Sequence, residues 1–232
     1  MLGVPVIYYV SPQLWAWRPK RIEVLRKYVS KMLVIFPFEA AIYEAKGIPV
    51  EFVGHPLVDL ARVSQPRDTW LQGLGLEPSR PVVALLPGSR RSEIQYIAPV
   101  FLQTAARLHR QRPGLRFILP LAPGLRGLVE PMLTPHAGTA PITLLEGRSH
   151  EVLAACDVTL IASGTATLEA ALFKRPMVIA YAMHWLSWHW MKCQKMLPWV
   201  GLPNILLREG AVPELLQGEA TPERLARAGL DW

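Results

Sequence analysis

The apolar positions of this chain fall into short blocks that alternate between two periods. Near-continuous runs such as Val82-Val83-Ala84-Leu85-Leu86 and Val158-Thr159-Leu160-Ile161-Ala162 have the length and composition of strands buried on both faces. Between them stand longer stretches with apolar residues three and four apart, the helical spacing. Over residues 1–65 the pattern predicts strands at 4–10, 30–36 and 50–53 and helices at 18–29 and 37–46. A polar stretch holding Pro66, Gly73, Gly75 and Pro78 then interrupts it, with a short helix at 68–74. The alternation resumes with strands at 81–86, 115–119, 142–145, 158–162 and 177–181. Helices are expected at 92–111, 124–133, 150–155 and through 170–173, the first either one helix or a pair broken before Pro99.

Strands alternating with helices imply parallel sheets with right-handed crossovers. The expected class is α/β, with two Rossmann-like doubly wound domains. Residues 1–65 form the later part of an N-terminal domain and 66–232 a second domain. The first begins abruptly, with fewer strands than a free-standing doubly wound domain, so an upstream segment is expected. After residue 204 a turn and two helices are expected.

Composition changes this picture little. An apolar fraction of 51% suffices for packed cores. The two cysteines, Cys156 and Cys193, fit a reducing compartment. They lack zinc-site spacing, and the six histidines form no cluster, so neither metal nor cofactor is expected. No stretch of about 18 apolar residues is present to cross a membrane, and the first residues lack the charged region of a secretory signal. The net charge of +7 asks for acidic partners. Basic residues Arg18, Lys20, Arg21, Arg26, Lys27 and Lys31 stand beside Trp15 and Trp17. They suit either an anionic membrane surface or a solvated helix face. Trp185, Trp188 and Trp190 suit core, partner surface or interfacial anchor equally.

Ligands of open parallel sheets bind beyond the carboxyl ends of the strands, and three loops there carry candidate chemistry. Gly88-Ser89-Arg90 offers close backbone approach, a hydroxyl and a planar guanidinium suited to phosphate oxygens; a plain turn with a surface Arg is the alternative. Ser163-Gly164-Thr165-Ala166 leads from a strand into a helix, whose first N–H groups and dipole favour an anion. Ordinary capping would also explain it. Glu169, one turn further on, is placed for the hydroxyls of a ribose. Gly201-Leu202-Pro203-Asn204 adds an amide, though Asn serves ordinary turns too. The chain carries neither a P-loop lysine motif nor a dinucleotide fingerprint.

Six segments stand in order: Tyr9-Val10-Ser11-Pro12, Trp15-Ala16-Trp17-Arg18, Phe52-Val53-Gly54-His55-Pro56, Leu85-Leu86-Pro87-Gly88-Ser89-Arg90, Ser163 to Glu169, and Leu202-Pro203-Asn204. Together they closely resemble the lipid-A-disaccharide synthases, bacterial glycosyltransferases of the GT-B type. The resemblance implies two Rossmann-like domains facing across a cleft, with UDP held mainly by the C-terminal one. It implies transfer of 2,3-diacylglucosamine from its UDP derivative to 2,3-diacylglucosamine 1-phosphate (lipid X), at the cytoplasmic face of the inner membrane. Gly88, Ser89, Arg90, Ser163, Gly164, Thr165, Ala166, Glu169 and Asn204 would bind substrate. Arg90 and Asn204 would stabilise the leaving diphosphate, and Lys192 stands where the family carries Lys.

The general-base Asp of that family belongs to an N-terminal part absent here. His55 and Asp59 are the nearest titratable groups, His55 suiting a loop hydrogen bond as well as proton transfer. Nucleic acid is not an expected partner; a homo-oligomer is left open. A UDP-sugar epimerase of the same fold, or a non-catalytic nucleotide- or membrane-binding module, are the competing readings.

Overall fold

A computed structural model describes residues 4–16, 18–136, 138–194 and 197–232, with 190–194 described as backbone only. Trp17 and the side chains of Trp190, Lys192 and Cys193, all singled out above, lie outside the described residues. The chain divides into two units, Met1–Leu60 with Trp185–Pro198 and Ala61–His184 with Trp199–Trp232.

The first unit runs β1 (Ile7–Tyr9), α1 (Ile22–Tyr28), β2 (Lys31–Val34), α2 (Glu39–Glu44), β3 (Val50–Phe52) and α3 (Leu57–Leu60). Its three strands pair in parallel in the order β1-β2-β3, with Tyr8 opposite Met32 and Leu33 opposite Glu51. Met32, Val34, Ile22, Tyr43 and Ile48 form its core, while Ile7, Tyr8 and Tyr9 of β1 are all exposed. Trp15 is buried. Its indole N–H donates to Glu39 Oε1 (3.0 Å), and Glu39 Oε2 accepts the Phe36 N–H (3.0 Å). That carboxylate is 1% exposed, and the aromatic rings of Trp15, Phe36 and Phe38 pack edge-on and stacked around it. Trp15 is therefore a core residue, not a membrane anchor. The cations of α1 remain exposed around the single buried residue Ile22.

The second unit holds α4 (Arg67–Gly73), β4 (Val82–Leu86), α5 (Arg91–Gln111), β5 (Arg116–Leu121), α6 (Arg126–Leu133), β6 (Ile142–Glu146), α7 (Ser149–Ala155), β7 (Val158–Ala162), α8 (Ala166–Leu172) and β8 (Met177–Tyr181). Helix α9 (Trp185–Gln194) belongs to the first unit; α10 (Leu202–Leu207), β9 (Glu214–Leu216) and α11 (Pro222–Leu230) complete the second. Its six strands are parallel in the order β6-β5-β4-β7-β8-β9. Alternate residues of each strand enter two separate cores. Val83, Leu85, Phe117, Leu119, Leu160 and Val178 meet α5, α6 and α11. Val82, Ala84, Leu86, Ile118, Ile161 and Ile179 meet α4, α7 and α8. Burial on both faces is what makes these strands read as continuous apolar runs.

The structure decides between two alternatives for one segment and corrects the expectation for another. Helix α5 is the single helix and not the broken pair, running unbroken through Pro99. Ile94, Ile97, Ala98, Phe101, Leu102, Ala105 and Leu108 line one face on both sides of the proline and are fully or almost fully buried. Each buried aliphatic or aromatic side chain contributes roughly 1.5–3 kcal/mol, so the face outweighs the ~3 kcal/mol cost of an interior proline. The segment after residue 204 also contains a strand, β9, whose three residues were too few to show a period.

Burial pushes the Cys156 thiol up to about 12, leaving essentially no thiolate near neutrality. A Cys193→Ser protein should therefore resist an aromatic disulfide reagent at pH 8 while folded and react at Cys156 only on denaturation; rapid native labelling would contradict the packing. Phe101→Ala should lower unfolding stability by about 3–5 kcal/mol in a denaturant titration.

Candidate functional site

The site is built within the second unit, where β4, β7 and β8 end side by side. Leu86 of β4 lies opposite Ile161 of β7, and Ile161 opposite Ile179 of β8. The loops that follow therefore emerge at one sheet edge.

The first loop turns at Gly88 (φ +109°), where an added Cβ would collide with Glu93. Glu93, at the third position of α5, reaches back to accept the N–H groups of Ser89 (3.0 Å) and Arg90 (3.2 Å), and it pairs with Arg90 Nη1 (2.7 Å). Sequence reasoning missed this carboxylate. Only half of the signal was in the sequence: a Glu stands three residues after the cap position, but that position holds Arg90 and not the Ser or Thr of a capping box. It organises the loop, while the Arg90 side chain stays 78% exposed with nitrogens beyond the one that meets Glu93. Tyr181, at the end of β8, stands within electrostatic reach. Burial raises its hydroxyl pKa; the Glu93 charge adds to the rise and Arg90 opposes it.

In the second loop, the Ser163 N–H donates to Ala180 O (3.1 Å) and its hydroxyl to Val200 O (2.8 Å). Ser163 thereby ties the β7 end to the segment before α10. Gly164 and Thr165 are exposed, and a Cβ added at Gly164 would meet open space. The Thr165 side chain makes no cap bond. Thr167 instead turns inward, its hydroxyl donating to Gly164 O (2.7 Å). Glu169 lies on α8 one turn past Thr165, and its Oε2 stands 3.5 Å from Nε2 of His150, at the start of α7. His150 was not among the sequence candidates, because only the pairing of α7 with α8 brings it there.

The third loop is held from inside. Glu214 of β9 accepts the N–H groups of Val200 (2.9 Å) and Gly201 (2.9 Å) and the Asn204 amide (2.8 Å). Asn204 is fully buried; its amide also donates to Val212 O (2.9 Å) and accepts the Val212 N–H (2.9 Å). Its polar group is thus engaged within the fold and fixes the loop instead of facing outward. The loop is closely packed at Gly201, where a Cβ would displace the end of the Ile179 side chain and approach Glu214 Oε1 to 3.0 Å.

His55, in the first unit, accepts the Leu57 N–H at Nδ1 (3.2 Å), and burial lowers its pKa. It carries a loop hydrogen bond, the plainer of the two roles open to it. Asp59 is exposed on α3. Among the described residues no three His, Cys, Asp or Glu side chains gather as metal ligands. A cavity of about 300 Å³ lies elsewhere, between the later part of α5 and the start of α11, lined among others by Arg107, Arg110, His136 and Glu223. It shares no residue with the three loops.

Residues 2–231 match the family model described as lipid-A-disaccharide synthetase. The chain belongs to this family. It is 51% identical over 230 residues to the lipid-A-disaccharide synthase of Albidiferax ferrireducens, covering 99% of this chain and 59% of that relative. To the enzyme of Pseudomonas syringae pv. tomato it is 52% identical over 226 residues, 97% of this chain and 59% of the relative. The chain thus spans about three-fifths of the length of the curated relatives it matches. The fold is that of the GT-B proteins. A UDP-GlcNAc 2-epimerase from Neisseria meningitidis bound to UDP-GlcNAc superposes with a TM-score of 0.63 at 12% identity, covering 97% of this chain and 60% of that one. Anabaena HepE in complex with UDP-glucose gives 0.59 at 17% identity, covering 98% and 62%. At those identities the two structures speak for fold alone, whereas the family match separates this chain from the epimerases. Among the described residues no helix is long and apolar enough to cross a membrane.

Asn204→Ala should remove three internal hydrogen bonds and leave buried groups unpaired, so it should cost about 2–4 kcal/mol of unfolding stability even without ligand. Unchanged stability with weakened nucleotide binding would instead place the amide against ligand.

Proposed function

We propose that the second unit is the UDP-binding half of a lipid-A-disaccharide synthase. The first unit would then supply part of the acceptor side. The full reaction transfers 2,3-diacylglucosamine from UDP to 2,3-diacylglucosamine 1-phosphate. The observation that carries the reading is the gathering of Gly88-Ser89-Arg90, Ser163-Gly164-Thr165-Ala166 and Glu169 at one sheet edge, in a chain about 50% identical to such enzymes.

In this reading Arg90 meets the diphosphate. Its exposed guanidinium has nitrogens beyond the one that meets Glu93, and a fixed cation stabilises the charge that develops as UDP departs. The open Gly164-Thr165 turn allows phosphate oxygens to approach the backbone, and Ser89 and Ser163 complete the wall. Glu169 takes the ribose hydroxyls. Asn204 acts one step removed, holding the third loop through Glu214 and Val212. The acceptor hydroxyl must lose a proton as it attacks, and His55 Nδ1 is already engaged by Leu57. The base is therefore assigned to the Asp that the family resemblance implies, and the described residues are read as holding the leaving group. Acylated substrates place the work at the cytoplasmic face of the inner membrane. Exposed Trp185 (62%) and Leu186 (56%) on α9, with the cations of α1, are surfaces suited to anionic lipid.

Calorimetric titration of UDP into the chain tests the assignment. Arg90→Ala should weaken UDP binding by roughly 1.5–3 kcal/mol; unchanged affinity in a folded variant refutes the diphosphate role. Glu169→Ala should weaken uridine nucleotides and leave inorganic phosphate nearly unaffected. Equal loss for both would rule out a ribose contact.

A further inference from the structure

Glu169 stands in the first turn of α8 and Phe173 four residues on, capping its last turn, so their side chains project from one side of the helix. His150 fits between them. Its ring lies 5.6 Å from that of Phe173, tilted by 53°, and its Nε2 lies 3.5 Å from Glu169 Oε2. The strand–helix junction before it is tightly built. Gly147 (φ +64°) donates its N–H to Leu121 O (2.7 Å), and Arg148 (φ +59°) turns the chain into α7. The charges next to His150 on α7 answer each other, Arg148 Nε lying 3.2 Å from Glu151 Oε1. The His150 and Glu169 side chains are 28% and 16% exposed, so both are held by packing while reaching solvent.

A separation of 3.5 Å is longer than the ~2.8 Å of a tight charge-assisted hydrogen bond. At that distance the contact is a charge approach, not a closed hydrogen bond, and it borders the carboxylate without saturating it. We propose that His150 is a positioning residue: it holds Oε2 of Glu169 so that Oε1 is presented to a sugar hydroxyl, and it thereby sets the preference for a ribonucleotide over its deoxy analogue. The proposal rests on the ribose reading of Glu169. A site arranged around a hydroxyl discriminates against the analogue lacking it, because its polar group is then left without a partner.

The test compares binding of UDP, 2′,3′-dideoxy-UDP and inorganic pyrophosphate to the full chain and its variants. The unsubstituted chain should prefer UDP over the dideoxy analogue, and Glu169→Gln should remove most of that preference. His150→Phe keeps the ring against Phe173 but removes the donor. It should lower the preference roughly five- to tenfold, with pyrophosphate affinity unchanged. His150→Gln, which restores a donor, should recover most of it. The double variant His150→Phe/Glu169→Gln should be no worse than Glu169→Gln alone, the signature of two residues acting through one contact.

Retained preference in His150→Phe alongside loss in Glu169→Gln overturns the positioning role and leaves the ribose reading standing. Parallel loss of UDP and pyrophosphate binding shows a merely structural role and also overturns it. Retained preference in Glu169→Gln overturns the ribose reading itself, and the proposal with it. Should His150→Phe fail to fold, His150→Asn, whose shorter amide falls short of Glu169, carries the same expectation.

Discussion

Burial of the second sheet on both faces is the constraint on which the rest depends. Once α5, α6 and α11 cover one face and α4, α7 and α8 the other, the central strands are apolar along their length except for Thr159, whose buried hydroxyl donates to Pro176 O (3.0 Å). The polar groups of the candidate site stand beyond the strand ends, where the backbone turns into helices and its N–H groups need partners. The loops after β4 and β7, and the segment before α10, meet at the carboxyl edge because parallel pairing sets β4, β7 and β8 in register. The same order that excludes water from the core concentrates candidate donors at one rim.

Two acidic residues organise that rim from within. Glu93 gathers the N–H groups of Ser89 and Arg90, and Glu214 gathers those of Val200 and Gly201 together with the Asn204 amide. Each anchors a loop by satisfying donors that would otherwise stay unpaired, and each fixes its loop before any ligand arrives. Ser163 then links the β7 end to the Glu214-held segment through Val200, so the second and third loops are tied together.

The first unit is built on a smaller scale. Its buried carboxylate Glu39 ties Trp15 to the start of α2, and Ser11 shares a 2.6 Å hydrogen bond with the Tyr43 hydroxyl. These contacts show why a tryptophan beside a basic helix need not face a membrane. The indole N–H and the carboxylate each find a partner in the other, and their exclusion from water strengthens that pairing.

The sequence by itself determined the α/β class, five of the six parallel strands of the second sheet and the loops that end them, because period and burial are written locally in runs such as 82–86 and 158–162. It singled out Arg90 and Glu169 as candidates by the same local logic, and the ordered segments around them pointed to the family that the comparison established. Tertiary structure decided what each polar group does once folded. Pro99 stayed within α5 because the helix face on either side is buried. Asn204 turned inward because Glu214 and Val212, ten and eight residues away, close around it. His150 reached Glu169 because α7 and α8 pack side by side. Those outcomes depend on which distant groups compete for a donor or a space, and no periodicity along the chain records that competition.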